Sequence, residues 1–468
     1  MSEIKSAENR MGTMPVLPLI LSMSLPMMFS MLVQAFYNVV DSYFVAKISE
    51  NALTAVSLAF PVQNLMISFA VGTSVGVNAL LSLRLGQKDF DSVNKTAMNG
   101  LFLTVITYLV FCAVGYFAME PFFASQVKKI DNPVQQAEVF GYSMEYMNII
   151  LYVGIGMFGS VMMEKLLQST GKALLSMITQ LVGSVTNIIM DPILIFGIGP
   201  FPEMGIAGAA WATVAGQINA CILGLILNIT CNKSIKFKII EFFKPSIKTI
   251  GQIYSVGFPS IILSSITSVT TALINIILGN FTPTAIAVYG IYFKLNSIIF
   301  MPVFGLNSGI VPIIAYNYGA RNYKRLKSAI KTGLLMAFAI MFIGMLIFLI
   351  FPSQLLKIFS ASDEMLKIGV PAMRIIATSF CGAAIAIVLG SVFQSVQSAM
   401  LSMIVSVCRQ VIVLLPSAWL LSLSGNINLI WLCFPIAELA SVGLSLIFYK
   451  RVYDKKIKPL KLEEKTNS

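Results

Sequence analysis

Histidine is absent from all 468 residues of this chain, which removes the usual metal ligand and the usual general base near neutral pH. Charge is scarce as well. Asp, Glu, Lys and Arg make up 11% of the residues, against about 25% in a soluble domain. The six cysteines (Cys112, Cys221, Cys231, Cys381, Cys408 and Cys433) are scattered with no C-x-x-C pair. They read as small apolar residues, not as a disulfide or zinc framework. No Walker-type loop occurs, so the chain is not expected to hydrolyse ATP. GTSVG at 72–76 matches the nucleophile-elbow pattern G-x-S-x-G, but it lies mid-helix and has no histidine to work with. Its glycines fit close helix packing instead. Neither an enzyme nor a cofactor is expected.

Apolar length is what the chain has in abundance. Hydrophobic residues are 57% of the total and the mean hydropathy is +0.84. Twelve apolar runs of bilayer-crossing length stand at about 15–44, 53–79, 95–119, 139–163, 173–197, 205–230, 252–278, 284–312, 332–351, 368–393, 399–423 and 428–449. The polar start, MSEIKSAENRMGTM, and the length of the first run do not fit a cleavable signal peptide, so the first span is expected to stay. The net charge of +12 needs no nucleic acid to explain it. With the N-terminus inside, 24 of the 32 Lys/Arg fall in inside segments and 5 in outside loops; Lys294, Arg374 and Arg409 lie within or at the edges of spans. That asymmetry places both termini in the cytoplasm. The expectation is an all-α, multi-pass protein of the cell (plasma) membrane.

The chain repeats itself. Shifted by 233 positions, Pro26 falls on Pro259, Phe60 on Phe293, Gly72 on Gly305, Gly76 on Gly309, Gly86 on Gly319 and Gly100 on Gly333, without a gap. Shifted by 226, QSTGKALLSMI (168–178) falls on QSVQSAMLSMI (394–404). Six spans recur as six more in the same order, and an even number makes the repeat parallel, with substrate sites expected between or within the halves. The expected division is an N-terminal lobe 1–230, a basic cytoplasmic linker 231–249, a C-terminal lobe 250–450 and a basic tail 451–468.

Ionisable residues inside spans are rare and usually face a protein interior. In NIIMDPILIFG (187–197), Asn187 and Asp191 are spaced i, i+4; in NVVD, Asn38 and Asp41 are spaced i, i+3. Each pair shares a helix face. Pro192 has no N–H, so the Ile188 carbonyl loses its helical partner. A carboxylate, an amide and a spare carbonyl on adjacent turns suit Na⁺ through oxygen, or a proton on the acid; the residues do not choose between H⁺ and Na⁺. A purely structural role, as hydrogen-bond anchors between helices, fits the same spacing. The second half has Ile274 opposite Asp41 and Ser417 opposite Asp191, so the fold's repeat does not require the acids. Glu438 suits either a drug cation's counter-ion or a partner for Lys294 or Arg409, and pairing is the simpler role. Glu145 and Glu164 lie near the ends of their span and read as interfacial.

NVVDSYFVAKISENALTAVSLAFPVQ with VGTSVGVNALLSLRLGQKD, then QSTGKALLSMITQLVGSVTNIIMDPILIFG, MGIAGAAWATVAGQ, VYGIYFKLNSI, GIVPIIAYNYGA and RQVIVLLP resemble the MATE (multidrug and toxic compound extrusion) family over essentially the whole chain. The resemblance is closest to the MepA-like branch. It implies twelve helices in two six-helix lobes arranged as a V, and cation-driven antiport of organic, often cationic, drugs. The family's first-lobe cation site falls here on Asp41, Asn187 and Asp191. The seventh and tenth spans lack the acids some branches use for Na⁺, so coupling is expected to rest on the first lobe. Among the 26 methionines and 32 phenylalanines, a minority lining a cavity would suit promiscuous cations. Phe36, Tyr37, Gln63, Met66, Tyr289, Phe293, Asn296 and Glu438 are the lining candidates.

The expected function is thus multidrug efflux by a single chain acting as a monomer, with small organic cations and the lipid bilayer as partners. A lipid-linked oligosaccharide flippase would need a basic cavity, and these spans hold few Lys or Arg. A passive channel fits the asymmetric acids less well than a pump.

Overall fold

The computed structural model describes residues 9–128, 130–359 and 361–466; Lys5 and Lys129 of the charge tally lie outside them. Helices account for the regular structure, and no strand occurs among the described residues. Among the described residues, ten helices are long and apolar enough to cross a membrane: α1 Val16–Ala46, α2 Glu50–Gly86, α3 Phe90–Val127, α6 Ala173–Phe196, α7 Gly205–Thr230, α8 Ile247–Gly279, α9 Pro283–Gly319, α10 Tyr323–Ile350, α13 Ala399–Ser422 and α14 Ile427–Leu462. Two bent pairs complete a set of twelve: α4 Pro133–Tyr152 with α5 Ile155–Ser169, and α11 Asp363–Ala377 with α12 Phe380–Ser395. Each of the twelve apolar runs falls on one of these spans.

The two bends, both 47°, occupy equivalent places in the two repeats but have different causes. In the first, Gly154 sits so close to its own helix that a Cβ there would collide with the Ile150 carbonyl. In the second, the Thr378 and Ser379 hydroxyls donate to the Ile375 and Ile376 carbonyls, both at 2.7 Å, in competition with the backbone ladder. Glycine and serine positions of this kind are recognised sites of helix kinking. A π-helical stretch, Cys408–Leu414, sits inside α13 just ahead of Pro416.

Packing divides the chain into two compact units. One holds the described chain up to Met28, Ser82–Asp89 and the chain from Phe258 onward; the other holds Phe29–Leu81 and Phe90–Gly257. These units are drawn differently from the lobes 1–230 and 250–450. The opening of α1 belongs with the C-terminal repeat, and the opening of α8 with the N-terminal one. The changeovers fall beside the matched prolines, Pro26 and Pro259.

Glycine explains the exchange. In one unit a Cβ on Gly305 would come within 2.5 Å of the Met28 Cα, and one on Gly309 within 2.9 Å of the Ser24 Cα. In the other, a Cβ on Gly76 would strike the Ile253 carbonyl, and one on Gly257 would lie 3.0 Å from the Gly72 carbonyl. The glycines of GTSVG therefore do serve close helix packing, and their repeat partners Gly305 and Gly309 do the same for α1.

The segments ahead of α1 and α8 are fastened as well. A short helical turn, Arg10–Thr13, is capped by Asn9, and Arg325 donates to the Met11 and Met14 carbonyls at 3.1 and 2.6 Å. The linker 231–249 is docked along the start of α3. The Lys236 and Ser246 N–H groups donate to Asn94 and Asn99 at 2.7 and 2.8 Å, and Phe242 packs edge-on against Phe102.

Candidate functional site

In the unit built mainly from the N-terminal repeat, α1 and α6 each carry a series of polar residues with the same spacing. On α1 these are Ser30, Gln34, Tyr37 and Asp41; on α6 they are Gln180, Ser184, Asn187 and Asp191. Both series step by four, three and four residues, which keeps each on one helix face. The two series are offset by 150 residues throughout, and contacts at both ends fix that register. Ser30 Oγ donates to Gln180 Oε1. Eleven residues further on, the carboxyl groups of Asp41 and Asp191 lie within hydrogen-bonding reach of each other.

The acid pair closes this arrangement near the C-terminal ends of α1 and α6. Asp191 is fully buried and Asn187 is 3% exposed, while Asp41 is half-buried. Asn187 Nδ2 donates to Asp191 Oδ1 at 3.5 Å and to Thr213 Oγ1 of α7 at 3.3 Å. Gly216 makes the α6–α7 approach possible, because a Cβ there would come within 2.6 Å of the Gly183 carbonyl and 3.3 Å of the Asn187 Cβ. The phenols of Tyr37 and Tyr146 stand close enough to feel both carboxyl groups, and Gln63 Nε2 donates to Tyr146 Oη at 3.1 Å.

Three buried oxygens at this place have no hydrogen-bond partner: Asp41 Oδ1, Asn187 Oδ1 and Asp191 Oδ2. Unpaired buried acceptors are costly, of order 1–3 kcal/mol each, and two facing carboxylates would add repulsion. A cation among them relieves both. A proton between the carboxyls or a small metal cation on the free oxygens would do so, and the three residues expected to hold it, Asp41, Asn187 and Asp191, are the ones brought together.

Other expectations fare differently. Asn38 is exposed and does not join Asp41; Tyr37 takes the inward place. Phe36 is exposed, and Tyr37 and Gln63 are half-buried and border the acid pair. Met66 is 1% exposed and packs in a core with Phe158, Met147 and Tyr146, so it is a core residue and not a cavity lining. Glu145 is exposed, and Glu164 is half-buried beside Lys165.

In the other unit, Tyr289 is also a core residue, stacked on Tyr292 and Trp431 with ring centroids 6.0 and 6.4 Å away. Phe293 is exposed and Asn296 half-buried, the latter with an unpartnered amide oxygen. Glu438 is buried and paired with Arg409 at 3.0 Å, so the pairing role fits and Lys294, which is exposed, is not its partner. The positions opposite the acids are inert. Ile274 is fully buried, and Ser417 donates to its own helix at Leu414 O, just past the π-helical turn.

Tyr146 and Thr213 did not stand out in the sequence. Tyr146 looks like one more aromatic in an apolar run, and Thr213 like a packing residue among alanines. Only the folding of α4 and α6 against α7 brings them to the acids.

Comparison with known proteins bears on this arrangement. The family model MatE matches residues 26–193 and 259–420, the two repeats in turn. The chain is 26% identical over 430 residues to the FAD transporter of Shewanella oneidensis, spanning 91% of this chain and 92% of that protein. It is 25% identical over 409 residues to the multidrug export protein MepA of Staphylococcus haemolyticus, spanning 87% and 88%. Its fold matches an outward-facing multidrug resistance MATE family transporter with a TM-score of 0.86 at 21% identity, over 97% of this chain and 99% of that one.

Proposed function

Since the chain belongs to the MatE family of membrane transporters, with MepA-like relatives, we propose that it is a secondary antiporter. It exports drug-like organic cations in exchange for H⁺ or Na⁺, and it is not an enzyme. The observation that carries this reading is the buried Asp41–Asp191 pair with its three unpartnered oxygens. An acid pair of this kind in an apolar span is held for ion handling by default.

The proposed cycle uses the chain's own groups. An inward-moving cation offsets one of the two negative charges of Asp41 and Asp191, which relieves their repulsion and gives their unpartnered oxygens a partner. Asn187 links this change to α7 through Thr213. Departure of the cation leaves the pair doubly negative again, and the helices that carry it rearrange. Pro26 on α1 and Pro192 on α6 are the points at which those helices can bend. Both termini stand on the cytoplasmic side, following the Lys/Arg asymmetry, and the chain works as a monomer in the plasma membrane.

A second reading concerns the cargo. Similarity to the Shewanella protein favours an anionic flavin nucleotide. Proteoliposome uptake of ethidium, and separately of FAD, under imposed H⁺ or Na⁺ gradients tests both readings. Gradient-driven ethidium accumulation is expected. Accumulation of FAD alone would reassign the cargo, and accumulation of neither would refute the export reading.

A further inference from the structure

The α1–α6 polar face does not stop at the acids. Moving from Asp191 toward the start of α6, Asn187, Ser184, Gln180 and Ser176 follow at turn-by-turn spacing, and Asn187, Ser184 and Ser176 are buried. Gln180 is held from α1 on both sides: it accepts from Ser30 Oγ and donates to Gln34 Oε1, the latter at 2.9 Å. Beyond it, Gln168 of α5, 1% exposed, donates to Ser176 Oγ at 2.9 Å and accepts from Lys165 Nζ at 2.8 Å. Polar groups thus run from the acid pair to the loop between α5 and α6. From Asp191 to Ser176 is fifteen residues of helix, or about 22 Å.

This seam joins α1 and α6 through amides and hydroxyls. Apolar side chains would gain no hydrophobic drive there, since lipid is equally apolar, and would offer a cation no oxygen ligands. Two glutamines, Gln34 and Gln180, instead bridge the two helices through their hydrogen bonds to each other and to Ser30.

We propose that the seam from Asp41 and Asp191 past Gln180 and Gln34 to Gln168 is the route by which the coupling cation leaves the acid pair toward the α5–α6 loop. The route rests on the antiport reading above. For a proton, the carboxyl O–H bond breaks, water entering the seam takes the proton as hydronium, and the carboxylate keeps the electron pair. For Na⁺, side-chain oxygens and water exchange as ligands. Tyr37 and Tyr146 face the seam at the acid end, and Glu164 and Lys165 stand at its far end. The ammonium of Lys165 disfavours retention of a cation there, which suits an exit.

The test separates cation release from the drug-bound half of the cycle. Ethidium–ethidium counterflow in proteoliposomes needs only the drug-loaded carrier, whereas gradient-driven uptake needs the cation to leave. In Gln180→Met and in Gln34→Met, gradient-driven ethidium uptake is expected to fall about tenfold with counterflow kept near wild type. Gradient-driven uptake at the wild-type rate in both variants would overturn the route. So would equal loss of uptake and counterflow, which would make the glutamines packing residues. Asp191→Asn is measured alongside. If that variant keeps gradient-driven uptake, the coupling reading itself fails; if it loses uptake while the glutamine variants do not, only the route fails.

Discussion

Asp191→Asn is the substitution with the most direct consequence. It preserves the size of the side chain and its place beside Asn187, so the buried helix face is not disturbed. What it removes is one negative charge within hydrogen-bonding reach of Asp41. At about 4 Å and an effective dielectric of ~20, a unit charge contributes ~4 kcal/mol to holding a cation. At ~1.36 kcal/mol per decade, that is about a thousandfold in cation affinity. The variant should reach the membrane and purify as wild type does. Its ethidium accumulation, read as fluorescence in DNA-loaded proteoliposomes, should fall to the leak level under either an H⁺ or an Na⁺ gradient. Accumulation at the wild-type rate from the variant would refute the assignment of Asp191 as a coupling residue, and would leave it a hydrogen-bond anchor.

Three further outcomes follow from the packing. Arg409→Met strands Glu438 without its partner, at a cost of about 3–5 kcal/mol; a lowered melting temperature is expected, largely recovered in Arg409→Met/Glu438→Leu, and an unchanged melting temperature in the single variant would contradict a structural ion pair. Gly216→Val drives side-chain atoms into the Gly183 carbonyl and Asn187, costing about 1–3 kcal/mol, and transport should suffer more than expression; a fully active variant would show that the α6–α7 approach is not needed. Gly309→Leu wedges α1 away at Ser24 and should destabilise the purified protein, while leucine at the open Gly290 should not.

Much of this was legible in the residues because lipid leaves few choices. A backbone in hydrocarbon must satisfy itself, so each apolar run became one span. Asp191 was visible because a carboxylate in such a run needs a reason, and because its repeat counterpart is Ser417. The candidates that failed did so for one physical cause. Met66 and Tyr289 are apolar or aromatic residues whose sequence surroundings are the same whether they face a cavity or a core, and both face a core. The register between Ser30 and Gln180 was hidden because it joins helices 150 residues apart, although each helix showed its own four-three-four spacing. The exchange of helix openings at Pro26 and Pro259 could be read only once Gly76 and Gly309 were seen against Ile253 and Ser24. The docked linker depended on Asn94 and Asn99, ordinary polar residues at the start of an apolar run.

Antiport through the Asp41–Asp191 pair requires that drug binding lower the affinity of the pair for its cation. Cation release on drug binding measures this directly. Purified protein is titrated with ethidium in weakly buffered solution, with a pH indicator and a sodium electrode read together. Release of H⁺ or Na⁺ in proportion to bound ethidium is predicted for the wild type, and none for Asp41→Asn/Asp191→Asn. Saturable ethidium binding by the wild-type protein with no release of either cation would contradict the account.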